Sequence, residues 1–154
     1  MLKKIVSGGQ TGVDRAALDT ALRSGIPCGG WCPHGRRAED GVVPAYYPLK
    51  ETETVDYRER TEKNVCHSDG TLILMQGILT GGTALTEKLA RQHGKPVLVV
   101  NLAASTEDLR RVNDWLQFHQ IEVLNVAGPR ESNHPGIYRQ ATDFLQKLLV
   151  FIDR

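Results

Sequence analysis

Apolar residues recur along the chain in two alternating rhythms. Short continuous runs read as buried strands, and runs with a three- and four-residue spacing read as amphipathic helices. Lys4 to Ser7 is the first such strand. Val13, Ala16, Ala17, Ala21 and Leu22 then recur at helical spacing until Gly25, a helix-stopping residue. A second short strand fits Ile26 to Trp31. Pro33 to Lys50 is irregular and rich in Gly, Pro and Arg. Thr54 to Val65 is a polar, charge-rich helix candidate. Thr71 to Met75, "TLILM", is apolar on both faces, as in a sheet covered on both sides. Thr83 to His93 reads as the next helix, closed by Gly94 and Pro96. "PVLVV" is the clearest strand. Ser105, with Asp108 three residues on, predicts a capped helix to about Phe118, striped by Leu109, Val112 and Leu116. "IEVLNVAG" is the fifth strand. Ile137, Ala141, Phe144, Leu145, Leu148, Leu149 and Ile152 mark a long last helix.

Strand and helix in alternation imply crossover connections and a parallel sheet. The expected fold is therefore α/β: one Rossmann-like, doubly wound domain over residues 1–154. Its mainly parallel five-stranded sheet would carry helices on both faces. Such sheets bind ligands at the carboxyl ends of the strands, where the strand order reverses.

Three Gly-bearing segments each follow a predicted strand, so a parallel sheet brings them to one edge. They are Gly8-Gly9-Gln10-Thr11-Gly12, Gly77 to Thr83 ("GILTGGT") and Gly128-Pro129-Arg130-Glu131. A helix N-terminus leaves backbone N–H groups unpaired, and glycine lets an anion approach them. The expected ligand contacts are Gly8, Gly9, Gln10, Thr11, Gly12, Thr80, Gly81, Gly82, Thr83, Gly128 and Arg130. Asp14, in the first helical turn, is placed to complement the helix dipole or to orient a ligand hydroxyl or amine. Arg36 and Arg37 in the long connector supply bidentate phosphate chemistry. Trp31, Tyr46 and Tyr47 offer rings to stack on a planar ligand or to cover the sheet. The first loop matches neither G-x-G-x-x-G nor the Walker Gly-Lys-Ser/Thr pattern, which argues against an ordinary NAD site or P-loop ATPase.

Charge narrows the partners. A formal net charge of +1 gives no reason to expect nucleic acid, so an anion site must be local. No apolar run approaches the roughly 20 residues needed to span a bilayer. "MLKKIVSGG" is too short in apolar residues for a secretory leader, and the expected location is the cytoplasm. Cys28, Cys32 and Cys66 are too few for a disulfide framework. Cys28, Cys32 and His34 lack a second ligand pair at zinc spacing, so no metal site is expected. Glu87 is the best-placed carboxylate for acid–base work after "TGGT"; otherwise it serves the helix dipole.

Together "SGGQTGVDRAALDTAL", "GIPCGGWCPHGRRAEDG", "ETETVDYRERTEKNV", "SDGTLIL", "LTGGTALT" and "NVAGPRES" resemble the bacterial molybdenum-cofactor carrier family, in order and over nearly the whole chain. That family belongs to a Rossmann-like group that includes the lysine-decarboxylase-like, or Lonely Guy, phosphoribohydrolases and nucleotide-binding sensor domains. The resemblance implies a carrier that holds molybdopterin or molybdenum cofactor, a phosphorylated heterocycle, rather than an enzyme. It also implies a homo-oligomer, a dimer or tetramer. The alternative it leaves open is a nucleotide sensor or a nucleoside-monophosphate phosphoribohydrolase, with Glu87 or Asp14 as the carboxylate. The hydrolase relatives carry P-G-G-x-G-T-x-x-E; here "LTGGTALTEK" keeps Gly81, Gly82, Thr83 and Glu87, lacks the proline and has a shorter spacing.

Overall fold

The computed structural model describes residues 1–103 and 107–153. Nine strands and five helices occur in it, in the order β1 (Lys4–Val6), α1 (Val13–Ser24), β2 (Cys28–Gly29), β3 (Trp31–Cys32), β4 (Arg37–Ala38), β5 (Gly41–Val42), β6 (Lys50–Glu51), α2 (Tyr57–Cys66), β7 (Gly70–Met75), α3 (Gly81–Gln92), β8 (Val97–Asn101), α4 (Glu107–Phe118), β9 (Val123–Ala127) and α5 (Ile137–Ile152). Four parallel pairings join five of these strands into one sheet in the order β2-β1-β9-β7-β8. This is the expected α/β architecture.

The centre of the sheet explains the continuous apolar runs. All six residues of β7 are buried. Side chains alternate across a strand, so Leu72 and Leu74 enter one core with Ala17, Ala21, Val112, Ala141 and Leu145 from α1, α4 and α5. Ile73 points to the opposite face, where α2 packs on α3. Hence the two-sided "TLILM" pattern.

Strand order carries a further message. β9 is last in the chain and yet lies between β1 and β7. Moving β9 and α5 to the front of the chain would give the doubly wound order 3-2-1-4-5. The strand order reverses between β9 and β7, and the loops after β1, β9 and β7 leave the sheet side by side.

Two expectations change in detail. The second strand divides at Gly30, whose φ of +128° and contact with Ser7 O (2.2 Å from an ideal Cβ position) admit no side chain. β2 stays on the main sheet, and β3 turns off to pair with β6. The 33–50 connector is not without structure, since it holds the β4–β5 hairpin and leads into β6. Arg36, in that connector, reaches into it with its guanidinium: Nε donates to Val43 O at 3.0 Å, Nη1 to Leu49 O at 3.2 Å, and Nη2 to Pro44 O and Tyr47 O at 2.7 and 3.0 Å. Charge-assisted bonds to four carbonyls replace regular secondary structure there. The Ser105 cap lies outside the described residues.

Gly128 tests the tightness of the sheet edge. A Cβ there would stand 2.2 Å from Leu74 O and 2.5 Å from Val13 Cγ2. Gly128→Ala is therefore expected to cost about 2 kcal/mol or more, read as a fall in the urea midpoint. An unchanged midpoint would show that the β9 exit relaxes freely.

Candidate functional site

The loops after β1, β7 and β9 and the N-terminal halves of α2 and α3 enclose a cleft of about 340 Å³. It opens at the carboxyl ends of the strands, at the point of reversal. The first glycine loop forms its floor, but its glycines are filled by the protein itself. A Cβ on Gly8 would collide with Arg60 Nη1 at 2.1 Å, on Gly9 with Leu49 Cδ1 at 2.6 Å, and on Gly12 with Pro129 O at 2.3 Å. The amides at the start of α1 are also engaged: Val13 N donates to Pro129 O and Arg15 N to Gln10 O, each at 3.2 Å. These glycines permit close packing of α1 and the loop after β9.

The loop before α3 is different. Gly81 and Gly82 meet nothing within 4 Å at their Cβ positions. The Thr80 side chain makes no capping bond to α3, and no acidic residue stands in its first turn. A helix start in that condition favours an anion.

Cations gather on the other wall. Arg60 is 8 % exposed and donates from Nη1 to Gly8 O at 2.7 Å, with Asp14 Oδ2 at 3.5 Å. Its Nε is a buried donor with no partner, as is Gln10 Nε2. The guanidinium carbons of Arg60, Arg37 and Arg130 lie 5.2, 5.3 and 5.4 Å from the centroid of the Tyr57 ring. Three cations thus converge on one aromatic ring, which partly stabilises them through its quadrupole. Burial holds the Asp14 carboxyl above its usual pKa, opposed by the Arg60 charge, the Gln10 N–H, the Ser7 hydroxyl and Arg15.

Of the residues expected from sequence, Gly8, Gln10, Asp14, Thr80, Gly82, Thr83, Gly128 and Arg130 line this cleft. Arg37 stands beside it on Tyr57, and Gly81 adjoins it at the start of α3. Gly9 is packed under Leu49. Thr11 and Gly12 line a separate surface hollow of about 390 Å³ with Asp19, Tyr47 and Tyr138. Thr11 is tied to Glu39, which also accepts from Ser132, so the β4–β5 hairpin is clasped to the first loop and to the loop after β9. Arg36 is committed to its four carbonyls, away from the cleft. Glu87 pairs with Arg91 at 3.1 Å and does not line the cleft, whereas Thr83 and Thr86 on the same helix do.

The rings expected to stack on a ligand are placed elsewhere. Trp31 carries Lys63 Nζ at 4.3 Å and donates to His67 Nδ1 at 3.0 Å. Tyr47 is buried and donates to Asp19 at 2.6 Å, with Tyr46 against it. Tyr57, Arg60, Thr61 and Asn64 were not singled out from the sequence. Their spacing, i, i+3, i+4 and i+7, is one helical face that is wholly polar, and that is the signal that identifies them. Gln76, Asn125 and His134 also line the cleft; His134 Nε2 and Gln76 Oε1 share a hydrogen bond of 2.7 Å. Among the described residues, no group of three or more His, Cys, Asp or Glu side chains is placed to hold a metal ion, and no helix is long and apolar enough to cross a membrane.

The family model of the circularly permutated YpsA SLOG family matches residues 5–149. A crystal structure from Syntrophus aciditrophicus SB, of a protein named "Putative molybdenum carrier protein", is 52 % identical in sequence. It superposes with a TM-score of 0.94 over 96 % of this chain and 95 % of its own. No curated protein matches.

The Asp14 carboxyl sets a pH dependence. Protonation removes the negative charge beside Arg60 and leaves that guanidinium free for an external anion. Because burial raises the Asp14 pKa, this happens at higher pH than for an ordinary aspartate. Sulfate, which does not titrate near neutrality, is therefore expected to bind more tightly as pH falls, with a smaller rise in Asp14→Asn. Calorimetry across that range checks this; identical pH profiles in the two proteins would contradict it.

Proposed function

The chain belongs to the circularly permutated YpsA SLOG family, and from that membership and the cleft we propose that it is a binding protein for a phosphorylated heterocycle. Molybdenum cofactor, carried as cargo, is the candidate ligand. The observation that carries this reading is the convergence of Arg37, Arg60 and Arg130 on Tyr57 beside two buried donors that lack partners. Buried donors are normally paired, and leaving one unpaired is costly. A phosphate oxygen would satisfy them.

The remaining lining suits the rest of such a ligand. Gln76 and Asn125 each keep one amide atom for ring heteroatoms, the other being bonded to His134 and Thr71, whereas the Asn64 amide is closed on the Trp31 backbone. The open start of α3 at Gly81 and Gly82 would receive a second oxyanion. The name of the Syntrophus protein, a relative at 52 % identity, supports molybdenum cofactor over other phosphorylated rings. A carrier needs no general base, and of the two carboxylates that line the cleft, Asp14 and Asp56, the first faces Arg60 at 3.5 Å and the second caps α2. We place the site in Gly8, Gln10, Asp14, Tyr57, Arg60, Asn64, Thr80, Gly81, Gly82, Thr83, Gly128 and Arg130, with Arg37 at its rim. Self-association and a cytoplasmic location complete the proposal.

Titration calorimetry under anaerobic conditions tests it, with molybdenum cofactor and guanosine monophosphate as ligands. The cofactor is expected to bind and the nucleotide to bind more weakly. Arg130→Ala, half-exposed and outside the core, should keep its fold and lose about tenfold or more in cofactor affinity, as for a charge-assisted hydrogen bond. Tight binding of the nucleotide with none of the cofactor would replace the carrier reading by a nucleotide-binding one. Wild-type affinity in Arg130→Ala would remove the arginine site.

A further inference from the structure

The cleft has few ring faces to offer a heterocycle, and one of them, the His134 imidazole, is bonded to Gln76. Tyr57 is the one phenol or indole among its lining residues, and three guanidinium groups already surround that ring. Apolar contact must come from aliphatic side chains. The segment between β7 and α3 supplies them: Ile78 and Leu79 both line the cleft, and Ile78 is 87 % exposed. Phe118 is similarly exposed at 82 %, and among the exposed large apolar side chains Ile78 is set apart by lining the cleft.

The segment is also lightly held. Gly77 (φ +89°) and Gly81 (φ +53°) bracket it in the left-handed region, where glycine carries no penalty, and neither meets an atom within 4 Å at its Cβ position. Its base is held, since Gln76 is bonded to His134 at 2.7 Å and α3 begins at Gly81. Between those anchors, among the described residues, no hydrogen bond ties Gly77, Ile78 or Leu79 to the rest of the chain.

We propose that Gly77–Thr80 is a cover that folds over an occupied cleft, with Ile78 and Leu79 pressed on the ligand's planar ring. Ile78 is thereby a specificity-determining residue for the heterocycle, independent of the arginines that hold the oxyanion. This inference rests on the binding role proposed above. It assigns the ring to the α3 wall and the phosphate to the Tyr57 wall.

The test compares wild type with Ile78→Ser, a substitution at an exposed position that leaves the core untouched. Both are titrated with molybdenum cofactor, guanosine monophosphate and inorganic phosphate, and hydrogen exchange of residues 76–80 is followed by mass spectrometry. Ile78→Ser is expected to weaken the ring-bearing ligand that binds by about tenfold, the loss of one buried aliphatic side chain, and to leave inorganic phosphate unchanged. Exchange in the segment is expected to slow when the ring ligand is bound and to be unaffected by phosphate. Ring-ligand binding that is indifferent to Ile78→Ser, or that leaves exchange in the segment unchanged, overturns the cover and leaves the cleft reading intact. Equal weakening for phosphate overturns the division of roles. If wild type binds none of the three, the cleft reading falls and the cover with it.

Discussion

One buried guanidinium organises this end of the molecule. Arg60 lies across Gly8, bonds its carbonyl, faces Asp14 at the start of α1 and flanks Tyr57 on its own helix. Removing a charge from water is expensive unless it is well paired. Here the pairing is incomplete: the approach to Asp14 is 3.5 Å and Nε has no partner. A chain seeking only stability would fill the same space with an apolar side chain. Gly8 must stay a glycine to admit Arg60, whose charge opposes the burial that raises the Asp14 pKa. The loop after β1, the polar face of α2 and the electrostatics of the cleft all follow from that one placement.

The strand order explains why such distant segments meet there. β9 is inserted between β1 and β7, so a loop near residue 130 faces loops near residues 10 and 78. The Glu39 clasp to Thr11 and Ser132 ties the hairpin to two of these loops. Glu131 accepts from the amides of Gly136 and Tyr138 and so caps α5. The third glycine segment is thus held by Glu131, and Arg130 is the member of it that brings a charge to the cleft. In the proposed site the loop after β1 supplies packing and the Gln10 side chain, the loop after β9 supplies Arg130, and the loop after β7 supplies an open helix start beside Ile78 and Leu79.

Period alone revealed the architecture. Two-sided apolar runs and helical stripes in "TLILM", "PVLVV" and the last helix reflect burial, which depends on the sheet and not on the ligand. The switch-point position of the cleft followed from the alternation of strands and helices. What the period does not encode is which face of a polar helix meets which loop. Arg36 and Arg37 are neighbours of one type, yet one is spent on four carbonyls and the other stands on Tyr57. Only tertiary placement separates them. Likewise the glycines of the first loop look like a phosphate cradle until their Cβ directions are seen to be filled, whereas those at Gly81 and Gly82 are open.

In the proposed complex the anionic end of the ligand sits on the arginines around Tyr57 and not in the first glycine loop. A crystal structure of the protein purified anaerobically with its bound molecule tests it most directly. The expected result is a phosphate or other oxyanion within hydrogen-bond distance of Arg60 Nε and Arg130, with the planar ring toward α3. An oxyanion held instead by the Gly9–Gly12 amides, with the Tyr57 arginines unengaged, would contradict it.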